Sequence, residues 1–197
     1  MKEKKIQSMK KLLNKKTALF VCDIQESFRS KIVGFESVVF AANYLVSVAK
    51  ELKIPILATE QMPDKLKSTV KEISFPEGTK LLSKSQFSMI TAEAKEFLKQ
   101  YQVENVILTG IEAHVCVLQT ALELREDNID VYIVADGTSS QRQSDRKFAF
   151  KRMESAGSVL TTMESVAFQL LRDSANPAFK ALLPVFKKER PDPKLDF

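Results

Sequence analysis

The sequence is poor in the residue types that mark specialised protein classes. Its 197 residues contain two cysteines, one histidine, no tryptophan and five glycines. Two cysteines cannot build the disulfide framework of a small secreted domain, so we expect Cys22 and Cys116 to be free thiols in a reducing compartment. A zinc site takes three or four ligands, commonly His and Cys, and His114 with two distant cysteines does not supply them. We therefore expect no metal and no other cofactor.

Long apolar runs are also missing. None approaches the roughly 18 residues that a membrane span needs, and the N-terminal segment lacks the apolar stretch of a secretory signal. A mitochondrial presequence has weak support, because that segment has lysines but no arginine and contains Glu3. These features predict a cytoplasmic protein without membrane contacts.

Positive charge is concentrated at one end of the chain. The formal net charge is +5, yet residues 1–16 hold seven lysines and one glutamate, a balance of +6, which leaves −1 for all other residues. Such a run is typical of a solvated arm and less often contacts nucleic acid. We expect a flexible, dispensable basic arm over residues 1–16, one domain over 17–188 and a tail over 189–197.

Apolar runs alternate with amphipathic segments along that domain. The patterns predict strands over residues 17–22, 54–59, 79–84, 105–109, 129–136 and 158–162, and helices over 37–52, 91–102, 115–127, 143–155, 163–172 and 177–188. Strands that are apolar throughout are typical of a sheet buried on both faces. The alternation therefore predicts an α/β fold of three layers (α/β/α) around a six-stranded, mostly parallel sheet.

In such sheets the functional crevice lies at the carboxyl ends of the strands, where the strand order reverses. The polar and reactive groups just past the predicted strand ends are Asp23, Thr59, Glu60, Lys84, Cys116 and Asp136. Cys116 stands at the start of a predicted helix, where free backbone N–H groups and the helix dipole favour a thiolate. Asp23 as a proton acceptor and Lys84 as a cation would complete a nucleophilic site.

Other interpretations of these residues stay open at this point. Free cysteines mostly pack in cores, and we expect a packing role for Cys22 because it lies inside a strand. A Cys–His dyad with His114 has poor geometry, since only one residue separates the two in a tight turn. Asp23 could cap a turn, and Lys84 could be a solvated surface group.

The sequence resembles the isochorismatase-like cysteine hydrolase superfamily and, within it, the isochorismatase domain-containing proteins. The matching segments are "ALFVCDIQESFR" (18–29), "IPILATEQMP" (54–63), "KLLSKSQFSM" (80–89), "VILTGIEAHVCVLQTALEL" (106–124) and "VYIVADGTSS" (131–140). An Asp after the first strand, a Lys after the third and a GIEAHVC hinge, in that order, form a specific combination.

The resemblance implies an Asp23–Lys84–Cys116 triad in which Cys116 attacks a carbonyl or similar carbon. It implies an oxyanion hole made by the backbone N–H groups of Glu112 and Cys116, and a cis peptide bond between Ile111 and Glu112. It also leads us to expect a homo-oligomer. The residues expected to line the pocket are Gln25, Phe28, Glu60, Gln61, Phe87 and His114.

The chain departs from two branches of that superfamily. Nicotinamidases hold a metal with an Asp and several His, whereas this chain has only His114. True isochorismatases lack the nucleophilic cysteine that Cys116 would provide. We therefore expect a metal-independent cysteine hydrolase of a small molecule with an amide, imide or ester-like carbon. The alternatives are a weakly active or inactive module that binds protein or RNA through its basic arm, and a redox-sensing thiol protein.

Overall fold

The computed structural model describes residue 12 and residues 15–192 of the chain. One sheet of six parallel strands runs through the molecule in the order β3-β2-β1-β4-β5-β6. The strands are β1 (Thr17–Cys22), β2 (Ile56–Gln61), β3 (Lys80–Lys84), β4 (Asn105–Ile111), β5 (Asp130–Ser139) and β6 (Val159–Thr161). The predicted six-stranded parallel sheet is confirmed.

Helices cover both faces of the sheet. They are α1 (Phe35–Glu51), the single turn α2 (Pro63–Leu66), α3 (Ala92–Gln100), α4 (Leu118–Glu126), α5 (Gln143–Ser155), α6 (Met163–Leu171) and α7 (Pro177–Phe186). Apolar residues of α1, α6 and α7 form one buried cluster against the sheet. Residues of α3, α4 and α5 form a second cluster on the other face, so the three-layer architecture is also confirmed.

The sequence pattern locates the elements well and misses local geometry. β1 has the predicted bounds, and Thr91 caps α3 by accepting a hydrogen bond from Ala94 N. β5 runs past its predicted end to Ser139, because its register against β4 shifts beyond Leu108. The helix predicted from residue 115 begins instead as a π-helical turn over Ala113–Val117.

Strand order reverses between β1 and β4, the neighbours from which the sheet extends in both directions. Gly110 of β4 lies opposite Cys22 of β1 with φ of 126°, and a Cβ there would stand 2.1 Å from the Cys22 carbonyl oxygen. Only glycine permits this approach. The close packing brings the end of β1 beside the segment that follows β4, which is where a crevice is expected.

The domain boundaries remain a prediction, because much of both termini lies outside the described residues. Leu12, within the predicted arm, nevertheless packs in the α1/α6/α7 cluster with 1% exposure, so it departs from the expectation of a solvated arm. Within the predicted tail, the Asp192 carbonyl accepts a hydrogen bond from Ser37 Oγ. No helix in the described part of the chain is long and apolar enough to cross a membrane.

Candidate active site

A buried ion pair lies at the carboxyl end of the sheet. Asp23 follows β1 and Lys84 ends β3, and Lys84 Nζ is 2.7 Å from Asp23 Oδ2 with side-chain exposures of 0% and 2%. Lys84 Nζ also donates to Gln61 Oε1 at 2.7 Å and to the carbonyl oxygens of Gln86 and Phe87 at 3.2 and 2.9 Å. The ammonium is thus held by four acceptors in a space without solvent.

Two opposed effects act on the pKa of Lys84. Burial lowers it, since desolvation disfavours the ammonium. The negative charge of Asp23, its hydrogen bond to Lys84 and the electrostatic interactions with the Cys22 and Cys116 side chains outweigh burial and raise the pKa above its usual value of 10.5. Lys84 therefore stays charged at neutral pH. It supplies the positive charge that a thiolate and a carboxylate in one pocket require.

Asp23 is fixed by its backbone and by three donors. Its φ of 49° lies in the left-handed region, which costs free energy for a residue other than glycine and often marks functional sites. Thr59 Oγ1 donates to its Oδ1 at 2.7 Å, while Lys84 Nζ and the Cys22 thiol donate to Oδ2. Thr59, expected only to lie on the rim, orients this carboxylate.

Both cysteines meet at this carboxylate. The sulfur atoms of Cys22 and Cys116 and a carboxylate oxygen of Asp23 all lie within 4.8 Å of one another, and all three residues are buried. The structure therefore brings together Asp23, Lys84 and Cys116 as expected from the sequence. It also places Cys22, which we had assigned to packing, beside them. Its position directly before Asp23 was the available signal.

Burial is the largest influence on the Cys22 thiol and raises its pKa well above 9.0. A hydrogen bond with Cys116 and the charges of Asp23 and Cys116 raise it further, against the opposing charge of Lys84. Cys22 is therefore protonated at neutral pH. Its thiol donates a hydrogen bond to Asp23 Oδ2, with 3.6 Å between sulfur and oxygen.

The π-helical turn that holds Cys116 is anchored on both sides. The Glu112 carbonyl accepts from the N–H groups of Val115 and Val117, and the Ile111–Glu112 peptide bond before the turn is cis. Thr120 Oγ1 donates to the Cys116 carbonyl at 2.7 Å and accepts from Met89 N at 2.9 Å. Thr120, which the sequence gave no reason to select, thus joins the turn to the loop after Lys84.

The residues expected to line the pocket divide into two groups. Gln25 is fully buried, and its amide clamps the Gln61 backbone and the Lys67 carbonyl. Glu60 accepts a hydrogen bond from Thr69 N at 2.6 Å. Together with the Gln61 bond to Lys84, these contacts fasten the segment after β2 and leave these side chains little freedom to contact a ligand.

The second group is more open to solvent. Phe87 is 53% exposed, and Phe28 and His114 are partly exposed. His114 Nδ1 lies 3.0 Å from Ser140 Oγ, and its Nε2 lies 3.9 Å from Asp145 Oδ2. These contacts direct the imidazole nitrogens toward Ser140 and Asp145, so a Cys–His dyad finds no support.

A cavity of about 330 Å³ lies at the amino ends of β2 and β3. Among the described residues that line it, which include Ala49 and Tyr101, there is no cysteine, histidine or serine.

The Cys22, Asp23 and Cys116 donor atoms could approach a metal ion. A cation there would compete with the Lys84 ammonium for Asp23 at 2.7 Å, so this donor set fits a metal poorly.

Comparisons with known proteins identify relatives of this chain. The Isochorismatase domain model matches residues 17–165. The chain is 41% identical to isochorismatase family protein 1B of Dictyostelium discoideum, over 95% of this chain and 94% of that protein. It shares 41% identity and a TM-score of 0.89 with a structure described as MAR1 ribonuclease from Caenorhabditis elegans, covering 93% and 95% of the two chains.

Two YcaC structures are more distant. That of Pseudomonas aeruginosa, described with covalent acrylamide, has 25% identity and a TM-score of 0.81 over 90% and 92% of the chains. That of Escherichia coli, described as an octameric hydrolase of unknown specificity, has 26% identity and a TM-score of 0.76 over 89% of each chain. The fold, the family model and the curated relatives agree, and this chain belongs to the isochorismatase family of hydrolases.

Proposed function

We propose that this protein is a metal-independent cysteine hydrolase in which Asp23, Lys84 and Cys116 act as a catalytic triad. The observation that carries the proposal is the cluster at the end of β1. A carboxylate oxygen of Asp23 lies within 4.8 Å of the Cys116 sulfur, and the same carboxylate is paired with Lys84 at 2.7 Å. A nucleophile, a proton acceptor and a cation therefore share one dry pocket.

In the first half-reaction Asp23 takes the proton of the Cys116 thiol, and the sulfur attacks the substrate carbonyl carbon. The negative charge on the resulting oxygen is stabilised by the backbone N–H groups of Glu112 and Cys116. When the tetrahedral intermediate collapses, the bond to the leaving amine or alcohol breaks, and Asp23 returns the proton to that group. Cys116 then carries the acyl group as a thioester.

The second half-reaction reverses these roles with water. Asp23 accepts a proton from a water molecule, whose oxygen attacks the thioester carbon. The C–S bond breaks, the acid leaves, and the proton held on Asp23 returns to Cys116. Lys84 keeps its charge throughout, and it balances the negative charge that moves between the sulfur and the carboxylate.

The burial of the triad limits the substrate to a small molecule. Cys116 is 7% exposed, and Asp23 and Lys84 are more deeply covered by the surrounding loops. A compact amide, imide or ester is the kind of substrate that suits a sulfur atom with so little exposed surface. The acrylamide bound covalently in the P. aeruginosa YcaC structure is a small electrophile, which is in keeping with a site that admits small molecules.

A second candidate function is the cleavage of RNA. The C. elegans structure described as a ribonuclease shares 41% identity with this chain, and seven lysines lie within residues 1–16. Against it stands the burial of Cys116, because a polynucleotide backbone cannot enter a site of that depth without rearrangement. The small-molecule reaction is therefore the better-supported proposal.

One experiment separates the two candidates. The purified protein is incubated with small amides, imides and esters and, in parallel, with single-stranded RNA, with Cys116→Ala as the blank and Cys116→Ser as a matched variant. We expect hydrolysis of a small molecule and an acyl adduct on the tryptic peptide 100–125 that both variants lack. RNA cleavage that is lost in Cys116→Ala, without small-molecule hydrolysis, would replace the first proposal by the second.

Assembly and compartment belong to the same proposal. The octameric E. coli relative supports a homo-oligomer for this chain, and light scattering of the purified protein tests it. A cytoplasmic location stays a prediction from the two free thiols and the N-terminal composition.

A further inference from the structure

Cys22 has no part in the proposed hydrolysis, yet it lies in the middle of the site. It is the last residue of β1 and is fully buried, with its sulfur within 4.8 Å of the Cys116 sulfur. A cysteine that served only to fill space would gain nothing from this position. Bonded sulfur atoms lie about 2.05 Å apart, so a disulfide requires the two sulfur atoms to move closer by less than about 3 Å.

We propose that Cys22 and Cys116 form a site of reversible oxidative modification, in which a hydroperoxide oxidises Cys116 and Cys22 captures it as an intramolecular disulfide. The proposal rests on a reactive Cys116, as the proposed function does. It differs from that function because it assigns a role to Cys22.

The chemistry balances in two steps. The Cys116 thiolate attacks one peroxide oxygen, the O–O bond breaks, and sulfenic acid and hydroxide form, so the sulfur loses two electrons and the peroxide gains them. The Cys22 sulfur then attacks the Cys116 sulfur, an S–S bond forms, and the S–O bond breaks to release water. A dithiol reductant restores both thiols by exchange.

The surroundings of the two thiols also determine which of them reacts first. The Cys22 pKa is raised first by burial and then by its hydrogen bond and charge interaction with Cys116, so Cys22 is the less reactive thiol at rest. Oxidation of Cys116 to a neutral sulfenic acid removes the charge of Cys116, while burial and the charge of Asp23 still raise the Cys22 pKa. Cys22 therefore loses its proton during its attack on the Cys116 sulfur, and Asp23 Oδ2, its acceptor at 3.6 Å, passes that proton to the departing hydroxide.

Burial determines what can start the reaction. At 7% exposure, Cys116 can be reached by a molecule as small as hydrogen peroxide, whereas a bulky disulfide such as oxidised glutathione is excluded. Cys22 has no exposed surface, so it can react only with its neighbour in the folded protein. The expected product is therefore internal, without disulfides between chains.

The experiment treats the wild-type protein with an excess of hydrogen peroxide, blocks the remaining thiols with N-ethylmaleimide in denaturant and maps tryptic peptides without reduction. We expect peptide 17–29 linked to peptide 100–125, with loss of two hydrogens. In a parallel sample without N-ethylmaleimide, dithiothreitol should restore full labelling of Cys116 by iodoacetamide. Cys22→Ala and Cys22→Ser should instead lose most of that recovery, because Cys116 proceeds to irreversible sulfinic acid.

The wild-type arm decides the matter even if a Cys22 variant fails to fold. Sulfinic acid on Cys116 of the wild type without the 17–29/100–125 link would overturn the proposal. Equal recovery in wild type and a folded Cys22→Ser variant would overturn it as well. Neither result touches the hydrolase proposal, which depends on the acyl adduct of the untreated protein.

Discussion

The Nζ atom of Lys84 and the Oδ2 atom of Asp23 lie 2.7 Å apart with almost no exposed side-chain surface. The two residues differ in the partners that each would keep if the other were replaced. Without Asp23, the lysine keeps three acceptors, namely Gln61 Oε1 and the carbonyls of Gln86 and Phe87. Without Lys84, the partners that the described residues leave to the carboxylate are uncharged, namely the hydroxyl of Thr59 and the thiol of Cys22.

This asymmetry predicts unequal costs in stability. Lys84→Met leaves a buried, uncompensated carboxylate and should lower the free energy of unfolding by about 3–5 kcal/mol. Asp23→Asn should cost less, and the double variant should regain part of the loss caused by Lys84→Met. Because the chain has no tryptophan, urea unfolding is followed by far-ultraviolet circular dichroism. A greater loss in Asp23→Asn than in Lys84→Met would contradict this account of the pair.

The same two variants should differ in the reactivity of Cys116. Lys84→Met removes the adjacent positive charge and should slow alkylation by iodoacetamide at neutral pH by about tenfold or more. Asp23→Asn should abolish turnover but preserve or increase this one-step alkylation, because it removes a proton acceptor and a negative charge. The measurement is the alkylation rate against pH, with peptide mapping to show that Cys116 carries the label. An unchanged rate in Lys84→Met would remove Lys84 from the site.

Strand and helix patterns were enough to predict the sheet and to place Asp23, Lys84 and Cys116 on one edge. The sequence could not show which neighbours hold them there. Thr120 reaches the Cys116 carbonyl and Met89 N only because α4 packs beside the loop after β3. Contacts between segments that lie far apart in the sequence leave no periodic pattern from which they could be predicted. The strand position of Cys22 predicts packing, and the residue is indeed buried in the core. Which groups lie beside its sulfur could not be predicted, since the close approach at Gly110 sets its neighbours.

Leu12 provides a test of where the domain begins. Charge alone predicts that residues 1–15 are dispensable, but Leu12 is buried among the residues of the α1/α6/α7 cluster. Leu12→Ala should therefore cost about 2 kcal/mol, which for a chain of this size lowers the melting temperature by about 4–8 °C. The exposed neighbour Lys15, changed to alanine, is the matched control and should have no effect. Equal melting temperatures for both variants would restore the boundary after residue 16.

The buried Cys22 thiol should make stability depend on alkaline pH. Its pKa is raised in the folded state by burial above all, whereas in the unfolded chain it titrates near 9.0. The stabilisation from this group is therefore complete below pH 9 and is lost as pH rises toward the folded-state pKa. Between pH 9 and 11 the wild type should lose stability more steeply than Cys22→Ala, by up to about 1.4 kcal/mol per pH unit. Parallel pH profiles from urea unfolding would show that Cys22 does not titrate differently on folding.

Thr120 positions the Cys116 turn, because its side chain joins α4 to the loop after Lys84. Its buried hydroxyl accepts from Met89 N at 2.9 Å and donates to the Cys116 carbonyl at 2.7 Å. Thr120→Val has nearly the same shape but leaves Met89 N without that acceptor, which should cost about 1–3 kcal/mol. Thr120→Ser keeps the hydroxyl and should retain most of the stability.

The catalytic consequence of Thr120→Val should go beyond that loss of stability. Displacement of the Cys116 turn relative to Lys84 should lower kcat with little change in KM, and Cys116 alkylation should slow in the folded variant. Thr120→Ser should restore both rates, because the oxygen that joins the two segments returns. The assays are run well below the melting temperature of each variant. A Thr120→Val protein with wild-type kcat and alkylation rate would show that this hydroxyl has only a structural role.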